Sequence, residues 1–185
     1  MTATSGDWLK RAVPTTMIAA ALCLSACSSS DSEPSDTKTT ATTAEPTADQ
    51  AAVDKAALEK LAKDIWAARQ EAYNSGKASS ALFEGIYTKS AIETELGRLR
   101  QYQDQKILRT GAPVITDISS TVSGDTGMIY LCLSEDDWDA TEDGTVIDTP
   151  KQGASPWGAS VERSADGWVL VKDQPTAAVE KEKSC

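Results

Sequence analysis

The side chains here that could carry chemistry are carboxylates, tyrosines and four cysteines; histidine is absent. That absence excludes Ser-His and Cys-His nucleophile pairs and every His-ligated metal site. No two cysteines stand at CxxC spacing, so neither a zinc ribbon nor a thioredoxin-type pair fits. The densest carboxylate run is Glu135-Asp136-Asp137-Trp138-Asp139-Ala140-Thr141-Glu142-Asp143-Gly144. Its oxygens would suit calcium, but the EF-hand register fails. Counted from Asp139, Pro150 stands where the bidentate glutamate belongs; counted from Asp137, Glu142 stands where glycine must be. A solvated hairpin loop is the simpler reading, and neither a metal nor a cofactor is expected.

Tyr87, Tyr102 and Tyr130 could face a pocket lined by Trp66, Trp157 and Trp168. The plainer reading is that these rings fill the core, where each buries a large apolar area. Asp117, between Ile115 and Ile118, comes nearest to a buried acid, but its neighbours do not fix its face, and no catalytic residue is assigned. Arg98, Arg100, Lys106 and Arg109 form the one basic concentration. They could meet an anionic surface, but they read first as a solvated helix face paired with Glu95 and Asp104. Across the chain, 18 Lys+Arg against 28 Asp+Glu give a formal net charge of -10. Such a chain does not coat nucleic acid by counterion release, so no nucleic-acid partner is expected.

The elements that would position these residues start at a capping box, Thr47-Ala48-Asp49-Gln50, with Thr47 as N-cap. The stripe Leu58, Leu61, Ile65, Ala68 and Ala72 predicts a helix over 48–73, stopped at Asn74-Ser75-Gly76 with Gly76 left-handed. A short helical piece falls around 80–87. A second box, Ser90-Ala91-Ile92-Glu93, opens a helix with Ile92, Leu96, Leu99 and Tyr102 on one side, ending near Lys106. β signals follow: 113–121, then Gly127–Leu133, apolar on both faces, then a short Val146-Ile147 strand. Trp157–Arg163 alternates, turns at Ser164-Ala165-Asp166-Gly167, and returns as Trp168–Lys172. The tail from Asp173 to Cys185 reads as loose except for its last residue. Helices followed by a meander of about four antiparallel strands mean α+β, with the helices on one face of a curled sheet.

Upstream, Lys10 and Arg11 precede an apolar run from Val13 to Leu24, too short to span a bilayer as a helix. Leu24-Ser25-Ala26-Cys27 follows, and this stretch resembles the lipobox of bacterial lipoproteins. The resemblance implies a diacylglycerol on the Cys27 sulfur and cleavage that leaves Cys27 first. Three parts are expected: a signal at 1–26, a lipidated Cys27 with a Ser/Thr/Pro-rich tether to 46, and one domain at 47–185. Residues 28–46 carry too little apolar surface to fold. Removing 1–26 takes away two basic residues and one acidic one, so the mature form is slightly more acidic. With Cys23 discarded and Cys27 acylated, Cys132 and Cys185 remain, and an oxidising compartment allows one disulfide between them. It would close roughly 50 residues and stabilise by about 3–4 kcal/mol.

The domain resembles the NTF2-like, or cystatin-like roll, domains of small lipoproteins from high-GC Gram-positive bacteria. The long helix with Trp66, Gly85-Ile86-Tyr87, Tyr130-Leu131-Cys132, the Val161–Gly167 hairpin and Gly167-Trp168-Val169 carry the likeness. It implies a lipid-anchored protein on the extracytoplasmic face of the cell membrane. Within that frame the expected role is a non-enzymatic binding or interaction module, with an envelope protein or a small apolar ligand as partner. The alternative is a pocket isomerase or hydrolase using Asp and Tyr groups. An aromatic-packed, closed interior would exclude both ligand and reaction; an open cone with a buried carboxylate beside a tyrosine would admit them.

Overall fold

The computed structural model of the protein describes residues 48–185. Cys27, the signal, the tether and the Thr47 cap lie outside the described residues. The first helix, α1, runs Ala48–Ser75. Gly76 ends it with φ 64°, the left-handed conformation that costs a glycine little. A 3-10 turn at Ser80–Leu82 leads to α2, Lys89–Asp104. The cap of α2 is Thr88, two residues ahead of the expected box: its hydroxyl accepts the Ala91 N–H at 3.3 Å.

Seven strands follow: β1 Ile107–Gly111, β2 Val114–Ser123, β3 Thr126–Ser134, β4 Trp138–Glu142, β5 Thr145–Ile147, β6 Ala154–Ser164 and β7 Gly167–Asp173. The main sheet has the order β2-β3-β6-β7, and a smaller one the order β1-β4-β5, with every named pair antiparallel. A short helix, α3, Thr176–Val179, follows β7. Leu58, Ala62, Ile65 and Ala72 of α1 bury against Ile129, Leu131, Ala159 and Val161 of the sheet. The α+β expectation, helices packed on antiparallel sheet, is what the structure shows.

Three local expectations are corrected. The acidic run is not a solvated loop: β4 pairs with β1 from Glu142↔Ile107 to Trp138↔Gly111, and Trp138 is buried in the core. Several of its carboxylates have partners. Asp136 accepts the backbone N–H groups of Gln152 and Gly153, Asp137 pairs with Lys151, and Asp143 with Lys106. The C-terminal tail is not loose either: Val179 is buried, and the Cys132 and Cys185 sulfurs are bonded at 2.08 Å, with a sequence separation of 53. Third, the buried row of α2 is Ala91, Glu95 and Leu99, one position round from the expected stripe, and Ile92 and Leu96 are half-buried.

Candidate functional site

The α1 stripe contains two charged residues in register with its apolar ones. Asp54 stands four before Leu58, and Arg69 four after Ile65; both are buried. A charge in such a place must find a partner, because burial of a lone ion is costly. Asp54 accepts two hydrogen bonds from Arg163 Nη2 at 2.8 Å and one from Trp168 Nε1 at 3.4 Å. The Arg163 bonds hold its carboxyl below the ordinary value, against burial, which raises it.

Arg69 finds its partners from α2 and β7. Its Nη2 donates to Glu95 Oε2 and to both Asp173 oxygens, each at 2.9 Å. Arg98 Nη1 closes the network, donating to Glu95 Oε2 at 3.2 Å and Asp173 Oδ2 at 2.6 Å. The remaining Glu95 oxygen accepts the Tyr73 hydroxyl at 3.0 Å. Glu95 is 1% exposed and Arg69 4%. Burial works against the Arg69 charge, yet its electronegative surroundings, with Tyr87, Glu95 and Asp173, raise its pKa. Burial first, and the Glu95 charge second, push the Tyr73 hydroxyl upward, so it stays a donor.

These groups form one end of a cleft of about 320 Å3 between the helices and the two sheets. Its wall is a chain of edge-to-face rings: Tyr102 to Tyr73 at 4.8 Å, Tyr73 to Trp138 at 5.8 Å, Trp138 to Trp66 at 6.4 Å and Trp66 to Trp157 at 5.5 Å. Arg109 lies over the Trp138 ring at 3.9 Å and pairs with Glu135 at 2.8 Å. Trp138 is pinned by Asn74, whose Oδ1 accepts its indole N–H at 2.8 Å and whose Nδ2 donates to Gly111 O at 2.9 Å. A second cleft of about 200 Å3 shares Arg69, Glu95, Arg98 and Asp173 as lining and adds Tyr87.

Of the six aromatics singled out in the sequence, Trp66, Trp157 and Tyr102 line the larger cleft and Tyr87 the smaller. Trp168 lies instead with Asp54 and Arg163. Tyr130 sits beside Gly158 and Val179, beneath the C-terminal segment. Asp117 is exposed at the β2 bulge, in the positive-φ region, and pairs with Lys183. The basic cluster disperses: Arg98 joins the buried network, Arg109 stacks on Trp138, and Lys106 pairs with Asp143. Glu95, expected on a solvated face, is buried because Arg69, Arg98 and Tyr73 between them answer both of its oxygens. Sequence reading missed Arg69, Glu95, Asp173, Tyr73 and Trp138 as site residues. The sequence signal is Arg69 inside the apolar row of α1; Glu95 stands outside the stripe expected for α2.

The domain packs its helices on antiparallel sheets, an α+β architecture that solved structures share. The intermembrane-space region of the chloroplast protein ARC6 shares the architecture at 12% identity and a TM-score of 0.51, covering 65% of this chain and 95% of that one. The Kfla4162 protein from Kribbella flavida is similar at 14% identity and a TM-score of 0.46, over 70% of this chain and 99% of its own. An NTF2-like protein with a cystatin-like fold from Novosphingobium aromaticivorans gives 16% identity and 0.44, over 75% and 98%. Neither a protein-family profile nor a curated protein sequence matches the chain.

Proposed function

We propose that this protein is a lipid-anchored lipoprotein of the extracytoplasmic membrane face whose NTF2-like domain binds a partner in its aromatic cleft and does not transform it. The observation that carries the binding reading is the state of Glu95. Both of its oxygens are occupied by donors, and Asp173 is held by two arginines. A general base needs a free lone pair within reach of the substrate proton. Each carboxylate keeps one lone pair, on Glu95 Oε1 and on Asp173 Oδ1, but taking a proton there would neutralise a partner of the buried Arg69. The reading of the anchor rests on Lys10, Arg11, the apolar run and Leu24-Ser25-Ala26-Cys27. Two acyl chains on Cys27 would give a firm hold, at about 0.8 kcal/mol per buried methylene.

One observation favours the enzymatic alternative: a buried carboxylate lies beside a tyrosine in an open cleft, with Tyr73 Oη 3.0 Å from Glu95 Oε1. In that reading Glu95 takes the Tyr73 hydroxyl proton as the tyrosine oxygen takes one from the substrate, and the two return together when the product is protonated. Two experiments test these proposals. Detergent partitioning of the wild type against Cys27→Ala tests the anchor, and equal release of both into the aqueous phase refutes it. A photo-crosslinking residue at Trp157, with another at the exposed Val146 as control, reports what occupies the cleft in intact cells. A partner captured intact at 157 and absent at 146 is the expected result; the same products at both positions, or a chemically altered capture at 157, refutes simple binding.

A further inference from the structure

Arg69, Arg98 and Arg109 all line the larger cleft, but their anions are held with different firmness. Arg69 and Arg98 share Glu95 and Asp173, whose side chains are 2% and 17% exposed. Neither carboxylate can turn away without depriving the buried Arg69 of a partner. Arg109 differs. Its Nε and Nη2 both donate to Trp138 O, and its guanidinium lies over the Trp138 ring at 3.9 Å. Trp138 therefore fixes Arg109 whether or not Glu135 is in contact. Glu135 is held less firmly. Its one side-chain partner among the described residues is Arg109 Nη1, at 2.8 Å, and it is 45% exposed.

Glu135 also has somewhere to go. Arg109, Glu135 and Trp138 line both the larger cleft and an adjoining polar cavity of about 180 Å3, which Asp136, Lys151 and Gln152 help to form. The Glu135 side chain can leave the cleft for that cavity or for water. An exposed ion pair is weakly held, so an incoming anion can take the place of its acid. What it uncovers is Arg109 Nη1, on a guanidinium already stacked and oriented, so a second carboxylate meets little ordering cost. In the same cleft Tyr73, Tyr102 and Trp157 keep accessible ring surface, which favours a flat apolar body.

We infer that the cleft takes a small ring-bearing carboxylate, whose acid group replaces that of Glu135 on Arg109 while its ring packs on the accessible aromatic wall. Glu135 is the ligand's stand-in: it pairs with Arg109 in the free protein and steps aside when the ligand enters. This rests on the reading of the cleft as a binding site, and assigns that site its chemical class and the cation that recognises it.

The test uses the mature chain with benzoate and benzamide, probes of one shape that differ in charge. Affinity is read from tryptophan fluorescence, and the Arg109 Nε–H is followed by NMR. Benzoate is expected to bind about ten-fold more tightly than benzamide, the gain of a charge-assisted hydrogen bond over a neutral one. That advantage should shrink as salt is raised, and benzoate should shift the Arg109 Nε–H signal. Glu135→Gln keeps the shape of the side chain and removes the competing charge. It should strengthen benzoate binding by up to about five-fold, the upper worth of an exposed pair, and leave benzamide unchanged. Asp139→Asn removes the same charge from an exposed residue of the adjoining cavity that has no pair with Arg109, and should change benzoate binding by less than about two-fold. Unchanged benzoate affinity in Glu135→Gln, an equal gain in Asp139→Asn, or benzamide as tight as benzoate each overturns the inference and leaves the cleft a binding site. Binding of neither probe also overturns it, and the binding reading then stands or falls on what is captured at Trp157.

Discussion

Replacing Glu95 with glutamine keeps the shape of the side chain and removes its charge, so it isolates what the buried network contributes. In the wild type, Arg69 sits between Glu95 and Asp173 with almost no exposure to water. Breaking a buried pair by removing one partner costs about 3–5 kcal/mol, since the other ion stays buried. Here Asp173 still holds Arg69 at 2.9 Å, so the lower end applies, about 3 kcal/mol. For a domain of this size that lowers the melting temperature by roughly 10 °C. The internal control is Glu135→Gln. Its partner Arg109 is at a similar distance, but Glu135 is 45% exposed, and the expected cost is about 0–1 kcal/mol.

The assay is urea unfolding of the mature chain, with midpoint and slope both fitted. A double variant separates desolvation from attraction. Arg69→Met with Glu95→Gln removes the stranded cation, so the pair should lose less than the sum of the single changes, by about 2 kcal/mol. The Asp173 left behind keeps Arg98 at 2.6 Å and is partly exposed. If Glu95→Gln unfolds within 0.5 kcal/mol of the wild type, or if the two changes simply add, the buried-network account is wrong.

Three further outcomes are expected. Cys132→Ser/Cys185→Ser should lose about 4 kcal/mol by the chain-entropy estimate for a separation of 53, and a non-reducing peptide map of the wild type should show the two cysteines joined. Asp54→Asn should cost about 1–2 kcal/mol near neutral pH. Because the folded carboxyl lies below its ordinary 3.8, the wild-type advantage should be complete above that value and vanish as the pH falls through the folded pKa, which urea midpoints against pH will show. Gly158→Ala places a Cβ 3.0 Å from Val179 and 3.1 Å from Tyr130, so it should cost about 1–3 kcal/mol, partly recovered by Val179→Ala in thermal melts.

How far the sequence could be read depends on how far apart the cooperating residues stand. Helix α1, its Gly76 stop and the β2-β3 and β6-β7 hairpins rest on local periodicity and turn residues, and they are where the sequence places them. Strand β4 was hidden because its acidic flanks imitate a solvated loop. What fixes it is Trp138 donating to Asn74, 64 residues away, and pairing with Gly111 on β1. The face of α2 was misread by one position because Glu95 looks like a surface residue until Arg69 is brought against it. Arg69 in turn pairs with Asp173, 104 residues on. A charge match between two helices and a strand has no local signature.

The residues that escaped the sequence are also the ones that decide between binding and catalysis. A tyrosine and a glutamate in an open cleft satisfy the inventory of an acid-base enzyme. What matters is where their protons and lone pairs are already committed. Tyr73 donates a hydrogen bond to Glu95, the other Glu95 oxygen accepts from Arg69 and Arg98, and burial keeps the tyrosine protonated. To act as a base, Glu95 would take a proton on the oxygen that already accepts from Tyr73, and so would lose the charge that pairs with the buried Arg69. The same pairing leaves the cations and anions of the cleft matched and its wall made of rings. A wall already held by its own ion pairs and ring contacts favours holding a ligand over transforming it, because few of its groups are left to order or to move when one enters.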